Sequence, residues 1–159
     1  MSKPVVLHKL EIEKANQEDW NEILNILEET KLTHWFIGGE NYKNFYTVRE
    51  PISKKIICCF SIATEGDIGI LKSFAVRINY QGKGIGKLIA NKTPELAKKI
   101  KLKKIYAASA EAPDFWNKTI FKEINIKEAN EPYYLSYIKK MEVKFPEVVK
   151  NASHYLLLM

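Results

Sequence analysis

The stretch that decides the fold is residues 71–86, which read Leu-Lys-Ser-Phe-Ala-Val-Arg-Ile-Asn-Tyr-Gln-Gly-Lys-Gly-Ile-Gly. Its first six residues predict a buried strand, and an amphipathic helix is expected from about Gly84. Because Gly82, Gly84 and Gly86 carry no Cβ, the backbone between strand and helix can approach a ligand closely. The start of a helix adds free N–H groups and a positive dipole end. The segment therefore predicts an anion-binding turn.

Spacing excludes two phosphate-binding motifs that such a turn suggests. A P-loop has four residues between its glycines, then Lys and a hydroxyl residue, whereas Gly82 and Gly86 enclose three residues and Leu88 follows Lys87. A dinucleotide fingerprint has its third glycine one position later and an acidic residue about twenty positions on, where lysines dominate residues 101–104. A tight turn without a ligand is the remaining structural alternative, but such a turn seldom needs three alternating glycines.

Gln81, Gly84 and Gly86 match the pattern Gln/Arg-x-x-Gly-x-Gly/Ala, so the segment resembles the acetyl-CoA-binding motif of the GNAT superfamily of N-acetyltransferases. Residues 71–76 also resemble that family's fourth strand, which hydrogen-bonds the pantetheine arm and leads into the pyrophosphate loop. The resemblance implies an α+β fold of the GNAT type. Such a fold has a central, mostly antiparallel mixed sheet of about six or seven strands, flanked by helices.

A second match lies in residues 109–121, where the family commonly carries Asn, two residues, Ala, three residues, Tyr, then Glu-Lys-Leu-Gly-Phe. The positions that agree are Ala112, Phe115, Lys118 and Phe121. The departures are Ser109 in place of the Asn, Trp116 in place of the Tyr and Ile120 in place of the Gly.

The resemblance implies acetyl-CoA as cofactor, CoA as product and no metal. The implied cofactor-binding residues are Phe74, Ala75, Val76, Gln81, Gly82, Lys83, Gly84, Ile85, Gly86, Lys87, Ser109, Trp116 and Asn117. In the family a backbone N–H of the fourth strand holds the thioester carbonyl, which falls here near Ala75 or Val76. The implied activity is transfer of the acetyl group to a primary amine.

The groups that move protons are not assigned by the sequence. The tyrosine that many family members use as general acid falls at Trp116, whose indole N–H is a very poor acid. A carboxylate in the fourth strand serves some members as base, but that position here is about Ile70. The catalytic candidates are Glu111, Asp67 and Tyr106, with Tyr133, Tyr134, Asp114, His34 and water as further alternatives.

An α-amine is the acceptor that such a site favours. At pH 7, deprotonating a lysine-like amine of pKa about 10.4 costs roughly 4.6 kcal/mol, whereas an α-amine near 7.8 costs about 1 kcal/mol. We therefore expect a small-molecule or peptide acceptor, such as an amino acid or a protein N-terminus. The expected pocket residues are His34, Trp35, Phe36 and Tyr42 from residues 32–46, together with Tyr133, Tyr134 and His154. The alternative function is a module that binds CoA or acetyl-CoA without efficient catalysis.

Composition limits the class of protein. A chain of 159 residues that is 46% hydrophobic predicts a single domain over residues 1–159. The formal net charge is +6, but 23 of the 25 basic residues are scattered lysines, so nucleic acid is not the expected partner. The sequence has no apolar run long enough for a membrane span and no signal-peptide region, which predicts a cytoplasmic protein. Adjacent Cys58 and Cys59 are expected to be buried and reduced, and a homodimer is left open.

Hydrophobic periodicity and turn residues predict alternating strands and helices along the chain. The predicted strands are Val5–Lys14, Phe45–Glu50, Lys55–Ala63, Ile68–Ile78, Lys104–Ser109, Phe121–Lys127 and Ser153–Met159, the second to fourth forming an antiparallel meander. The predicted helices are Gln17–Thr30 with Asn16 as N-cap, Gly84–Ile100 and Pro113–Thr119. Pro94 is expected to kink the second helix or to start a new segment. Residues 32–44 are expected to form a loop or short helix.

Overall fold

A computed structural model describes residues 6–32, 41–110 and 112–159. The described helices are α1 (Trp20–Glu29), α2 (Ile85–Lys99), α3 (Pro113–Trp116), α4 (Pro132–Lys144) and α5 (Pro146–Lys150). The described strands are β1 (Ile12–Lys14), β2 (Phe45–Arg49), β3 (Ile56–Glu65), β4 (Ile68–Val76), β5 (Lys104–Ser109), β6 (Lys122–Ile124) and β7 (Ser153–Leu158). Short 3-10 turns occur at Leu7–Lys9, Gln17–Asp19, Tyr42–Asn44, Ile78–Tyr80 and Ile126–Glu128.

The strands form a mixed sheet in the order β1-β2-β3-β4-β5-β7-β6. Antiparallel pairing joins β1 to β2, β2 to β3, β5 to β7 and β6 to β7, whereas β4 and β5 are parallel. Gly66, at a φ of +60°, lies in the tight turn between β3 and β4. The predicted α+β fold class, with a mostly antiparallel sheet of six or seven strands, is confirmed.

Internal contacts divide the chain into two compact units. The first consists of Met1–Ser61 and Ser73–Ile89, and the second of Ile62–Lys72 and Ala90–Met159. The core of the first unit contains the apolar face of α1, with Ile23, Ile26 and Leu27 packed in a cluster with Phe45 and Cys59. These residues recur at helical spacing, so they share the face of α1 that packs into the core.

The predicted N-cap Asn16 precedes the 3-10 turn Gln17–Asp19, and Asp19 is the residue directly before α1. The backbone N–H of Asn16 donates to Oδ2 of Asp19 at 2.8 Å, within the turn Gln17–Asp19 that leads into the helix. This bond gives the backbone N–H at the start of the turn a side-chain acceptor.

The core of the second unit contains α4, a helix that the sequence analysis does not predict. Its Tyr134 and Ile138 pack in a cluster with Ile70 of β4 and Tyr106 of β5. The Tyr106 and Tyr134 rings are stacked with centroids 4.5 Å apart. Pro132 begins α4 and Pro146 begins α5. Proline is favoured at the first helical position, so these two prolines are the sequence signal for both helix starts.

Several predicted elements are longer than those observed. The predicted strand Val5–Lys14 is wrong over residues 7–9, which form a 3-10 turn, and Val5 lies outside the described residues. The predicted helix Pro113–Thr119 ends at Trp116, and the predicted strand Phe121–Lys127 is reduced to Lys122–Ile124. Strand β6 ends at Ile124 because the next residue, Asn125, begins a turn. Its Oδ1 accepts the Lys127 N–H at 3.0 Å, and this side-chain bond turns the backbone there.

Pro94 lies inside α2 and does not divide it into two segments. Proline has no N–H to donate to the carbonyl four residues earlier, which is that of Ala90. The Thr93 hydroxyl donates to the Ala90 carbonyl oxygen at 2.7 Å instead. Since Thr93 is fully buried, this bond supplies a partner that water cannot supply, and the helix continues to Lys99.

Candidate active site

The turn between β4 and α2 has a backbone that requires glycine at two positions. Gly82 has a φ of +76° and Gly84 a φ of +83°, in the left-handed region that other L-residues avoid. Among the described residues, a Cβ atom built at Gly82 would meet no heavy atom within 4 Å, and one at Gly84 would meet only Cδ1 of Leu7, at 3.9 Å. Conformation, and not crowding within the protein, is therefore the reason for these two glycines.

The same turn exposes the N-terminus of α2. The first helical hydrogen bond runs from the N–H of Leu88 to the carbonyl oxygen of Gly84 at 3.1 Å. The N–H groups of residues 84–87 therefore precede the helical ladder and point out of its positive end. Residues 81–84 are all exposed, and so is Lys87. Cationic Lys83 belongs to the same exposed stretch, with its Nζ 5.3 Å from the centroid of the Tyr80 ring. This arrangement suits a phosphate group.

The Gln81 side chain forms a hydrogen bond within the segment that connects β4 to the glycine turn. Its side-chain Nε2 donates to the carbonyl oxygen of Val76, the last residue of β4, at 2.9 Å. The segment between them contains the 3-10 turn Ile78–Tyr80, where the N–H of Gln81 donates to the Ile78 carbonyl oxygen at 3.2 Å. The Gln81 side chain is thus bonded to the loop itself.

The end of β4 departs from regular strand geometry. The parallel ladder with β5 pairs residues 68–71 with residues 104–107. Two residues further on, buried Ser73 has a φ of +54°, which is unusual for a non-glycine residue in a strand and typical of a local bulge. Beyond it, Ala75 is buried in the core cluster of the first unit, and the ring of Phe74 stacks on Phe60 at 5.7 Å. Any ligand contact of Ala75 must therefore be made through its backbone.

The other predicted cofactor residues belong to the second unit. Ser109 is buried at the end of β5, and its Oγ accepts the Ala112 N–H at 3.0 Å. Trp116 ends α3 and is only 6% exposed, with its ring 5.1 Å from that of Phe121. Asn117, the next residue, is exposed. Ser109 thus serves as a local cap, and Trp116 contributes to packing.

A family model for the acetyltransferase (GNAT) family matches residues 9–119, which include β4, the glycine turn, α2, β5 and α3. This chain belongs to the GNAT acetyltransferase family. No curated protein sequence matches this GNAT protein.

Solved structures with the same fold include several acetyltransferases. Rv2747 from Mycobacterium tuberculosis, solved with CoA and a second ligand, is 17% identical with a TM-score of 0.70, over 94% of this chain and 99% of that one. N-acetylglutamate synthase from Neisseria gonorrhoeae, solved with coenzyme A and L-arginine, is 17% identical with a TM-score of 0.71. The match covers 94% of this GNAT protein but only 33% of the synthase. A GNAT acetyltransferase from Staphylococcus aureus Mu50 is 16% identical with a TM-score of 0.64, over 94% and 98% of the two chains.

The predicted catalytic candidates of the GNAT protein occupy different environments. Asp67 lies in the turn before β4, with its carboxylate 3.7 Å from Nζ of exposed Lys103. Tyr106 is 1% exposed in the core of the second unit, and burial raises its pKa. An acid that a substrate cannot reach is poorly suited to proton transfer, so burial counts against Tyr106. Glu111 lies outside the described residues.

The predicted acceptor-pocket residues are only partly described. His34, Trp35 and Phe36 lie outside the described residues, whereas Tyr42 packs against the core of the first unit. In the second unit the Tyr134 hydroxyl and His154 Nδ1 are 2.6 Å apart. Burial raises the pKa of Tyr134 and lowers that of His154. This pair lies in the core of the second unit, with His154 at the edge of a cavity bordered by α5.

Three further findings concern the described residues. None of their His, Cys, Asp and Glu side chains form a group of three that could hold a metal ion. None of their helices is both long and apolar enough to cross a membrane. Cys58 and Cys59 are both free and fully buried, and burial raises the pKa of the Cys59 thiol to about 12.

One residue beside the turn of this GNAT protein, Arg77, is not indicated by the sequence motifs. Arg77 directly follows β4, and its guanidinium contacts two glutamates of α1. The available signal was composition, because only two of the 25 basic residues are arginines and one of them precedes the glycine turn.

Proposed function

We propose that this GNAT protein transfers the acetyl group of acetyl-CoA to a primary amine. The observation that carries the proposal is the exposed turn in which Gly82 and Gly84 adopt positive φ directly before the N-terminus of α2. The backbone N–H groups of residues 84–87 would hold the pyrophosphate, with Lys83 and Lys87 supplying positive charge. The backbone of Phe74–Val76 would hold the pantetheine arm, as the family resemblance implies.

The residues fit this ligand by their chemistry. Pyrophosphate needs several donors within a small space, and left-handed glycines followed by a helix start turn consecutive N–H groups outward. Acetyl-CoA supplies a thioester carbonyl that an amine can attack. A backbone N–H of Ala75 or Val76 would donate a hydrogen bond to the oxygen of that carbonyl. The bond would stabilise the negative charge that develops on this oxygen when the amine attacks.

We further infer that the acceptor is an α-amine, of an amino acid or a protein N-terminus. Trp116 stands where many family members carry an acidic tyrosine, and its indole N–H does not release a proton at neutral pH. Tyr106 is buried. A site that leaves proton transfer to water works best with an amine that is already partly neutral near pH 7, as α-amines are. One neighbour of the same fold, N-acetylglutamate synthase, was solved with N-acetyl-glutamate, whose acetyl group is carried on an α-nitrogen.

We propose that this protein acts in the cytoplasm.

A second candidate function is a CoA-binding module without efficient catalysis. The observations that favour it are the burial of Trp116 at 6% exposure and that of Tyr106 at 1%. An acetyl-CoA turnover assay distinguishes the two functions. The purified protein is incubated with acetyl-CoA and a panel of amino acids, peptides with free N-termini and lysine side-chain amines, and the release of free CoA thiol is measured. Because both cysteines are fully buried, their contribution to the thiol signal is expected to be small. Tight CoA binding with no turnover on any acceptor would establish the module.

The turn itself is tested with two matched substitutions. Asp and Asn tolerate the left-handed conformation better than other non-glycine residues and are nearly equal in size, so Gly84→Asp and Gly84→Asn differ mainly in charge. At about 5 Å and an effective dielectric constant of about 20, a carboxylate and one phosphate charge repel by about 3 kcal/mol. We expect Gly84→Asp to weaken CoA binding in calorimetry about tenfold or more relative to Gly84→Asn, with both variants folded by circular dichroism. Equal CoA affinity in the two variants would contradict a pyrophosphate site at this turn.

A further inference from the structure

Arg77 connects the start of the glycine loop to helix α1. Its Nε donates to the carbonyl oxygen of Ile56 at 2.7 Å, and its Nη2 donates to Oε1 of Glu22 at 3.1 Å. Its Nη1 lies 3.8 Å from Oε1 of Glu29. Glu22 and Glu29 are seven residues apart on α1, so two helical turns place both carboxylates on one face. The guanidinium, a planar donor with several N–H groups, is suited to such a position between acceptors.

The two carboxylates also accept backbone N–H groups of the elements that they join. Oε1 of Glu22 accepts the N–H of Ile56, at the start of β3, at 3.0 Å. Oε2 of Glu29 accepts the N–H of Ile78 at 2.8 Å. Ile78 is the first residue of the 3-10 turn that leads to Gln81, so a side chain of α1 is bonded directly to the backbone of the loop.

Apolar packing contributes little to the position of the 3-10 turn Ile78–Tyr80. The Ile78 side chain is 54% exposed, and Asn79 is exposed as well. The turn borders a cavity of about 390 Å³, lined by Glu22, Glu29, Lys55, Arg77, Asn79 and Tyr80. Since neither burial nor a dense core fixes residues 78–80, their position depends on the polar contacts that they make.

We propose that Glu29, together with Arg77 and Glu22, positions the Gln81–Gly86 loop for the cofactor. These are positioning residues, because none of them is placed against the reacting atoms. Glu29 fixes the point from which the loop leaves β4, through the Ile78 N–H, and Arg77 holds the Glu29 carboxylate in the orientation that this bond needs. The inference rests on the proposed function of the loop as a CoA site.

The test compares two substitutions of one residue. Glu29→Gln keeps a side-chain oxygen that can accept the Ile78 N–H and loses only the charge, whereas Glu29→Ala removes the acceptor. The Ile78 N–H bond to Glu29 is exposed to solvent, so its loss should have a moderate effect. We expect Glu29→Ala to raise the Kd for CoA and the KM for acetyl-CoA about tenfold. The kcat is expected to stay within about twofold, because binding and not chemistry depends on the loop position. Glu29→Gln is expected to remain within about threefold of the wild type in every constant.

The matched control is Glu28→Ala, on the same helix, since exposed Glu28 makes no hydrogen bond to residues 77–80 in the described part of the chain. Each variant is measured at a temperature at which circular dichroism shows it folded. If the wild type binds CoA and Glu29→Ala binds it equally well, the positioning role is overturned while the CoA site stands. A Glu29→Ala chain that folds at no temperature also overturns it, because Glu29 then serves stability. A wild type that does not bind CoA overturns the proposed function itself, and the inference with it.

Discussion

The side-chain amide of Gln81 donates a hydrogen bond to the carbonyl oxygen of Val76 across 2.9 Å. Val76 ends β4 and Gln81 begins the glycine turn, so this bond joins the two ends of the connection between strand and turn. The resemblance to GNAT proteins assigns Gln81 to the cofactor site. The structure shows that its side chain also shapes the loop whose backbone would meet the pyrophosphate.

Variants of Gln81 should therefore distinguish the effect of loop shape on CoA affinity from the effect of charge. Gln81→Arg keeps an N–H donor, and we expect its CoA affinity to stay within about threefold of the wild type. Gln81→Ala removes the donor, and the loss of one exposed hydrogen bond should weaken CoA binding by about 0.5–1.5 kcal/mol, up to roughly tenfold. Gln81→Glu should weaken it most, because a carboxylate cannot donate to the Val76 carbonyl and repels an anionic ligand. Calorimetric titration with CoA measures all three, and an Ala variant that binds better than the Arg variant would contradict this account.

Gly69 should tolerate a methyl group poorly. A Cβ at Gly69 would lie 2.7 Å from Cδ1 of Leu102, closer than real Cβ contacts, and 3.1 Å from Cγ2 of Ile62, tighter than most of them. We expect Gly69→Ala to lower the free energy of unfolding by about 1–3 kcal/mol, the usual cost of overpacking a core. Gly66→Ala is the control, because its Cβ would meet nothing within 4 Å in the part of the chain that the structure describes, and its φ of +60° is the unfavourable feature. That conformation costs about 1–2 kcal/mol. Urea titration compares the two, and a Gly69→Ala variant as stable as the wild type would show that Leu102 repacks without cost.

The buried pair of Tyr134 and His154 should make stability depend on pH. Burial lowers the folded-state pKa of His154 below its ordinary value of 6.5. Between the lowered value and 6.5 the unfolded chain binds more protons, so the free energy of unfolding should fall as the pH falls through this window and should be unaffected by His154 above it. The charged groups that line the adjacent cavity are Glu123 and Lys150.

Two variants check this pH dependence by thermal melts between about pH 5 and pH 8. His154→Asn offers an amide oxygen near the position of Nδ1 and cannot titrate, so its melting temperature should fall less than that of the wild type toward low pH. Tyr134→Phe keeps the histidine and loses the hydroxyl, so it should be less stable by about 1 kcal/mol at pH 7 and should keep the pH dependence. Parallel curves for the wild type and His154→Asn would show that another group causes the pH dependence.

The elements that the sequence predicts well are those whose signal is local. The core face of α1 follows from apolar residues at helical spacing, and β5 matches its predicted bounds of Lys104–Ser109. Other elements are misjudged or absent from the prediction. The predicted strand Val5–Lys14 is wrong over residues 7–9. Helix α4 is not among the predicted helices, although Pro132 begins it and its buried Tyr134, Ile138 and Met141 recur at helical spacing. Pro94 suggested a break in α2, and only the neighbouring Thr93 hydroxyl, bonded to the carbonyl that proline leaves without a partner, explains why the helix continues.

By itself the sequence determined the glycine turn, because the conformations of Gly82 and Gly84 depend on what their own Cα atoms carry and on the helix that directly follows. It therefore also determined the family. Tertiary structure alone decided which groups that are distant in sequence form hydrogen bonds. These are the Glu29 carboxylate with the backbone N–H of Ile78, 49 residues away, and Tyr134 with His154, 20 residues away. Neither pair leaves a periodic trace in the sequence, since each forms only when packed elements bring its members together. The loop's chemistry is thus local, whereas its position depends on the packing of the fold.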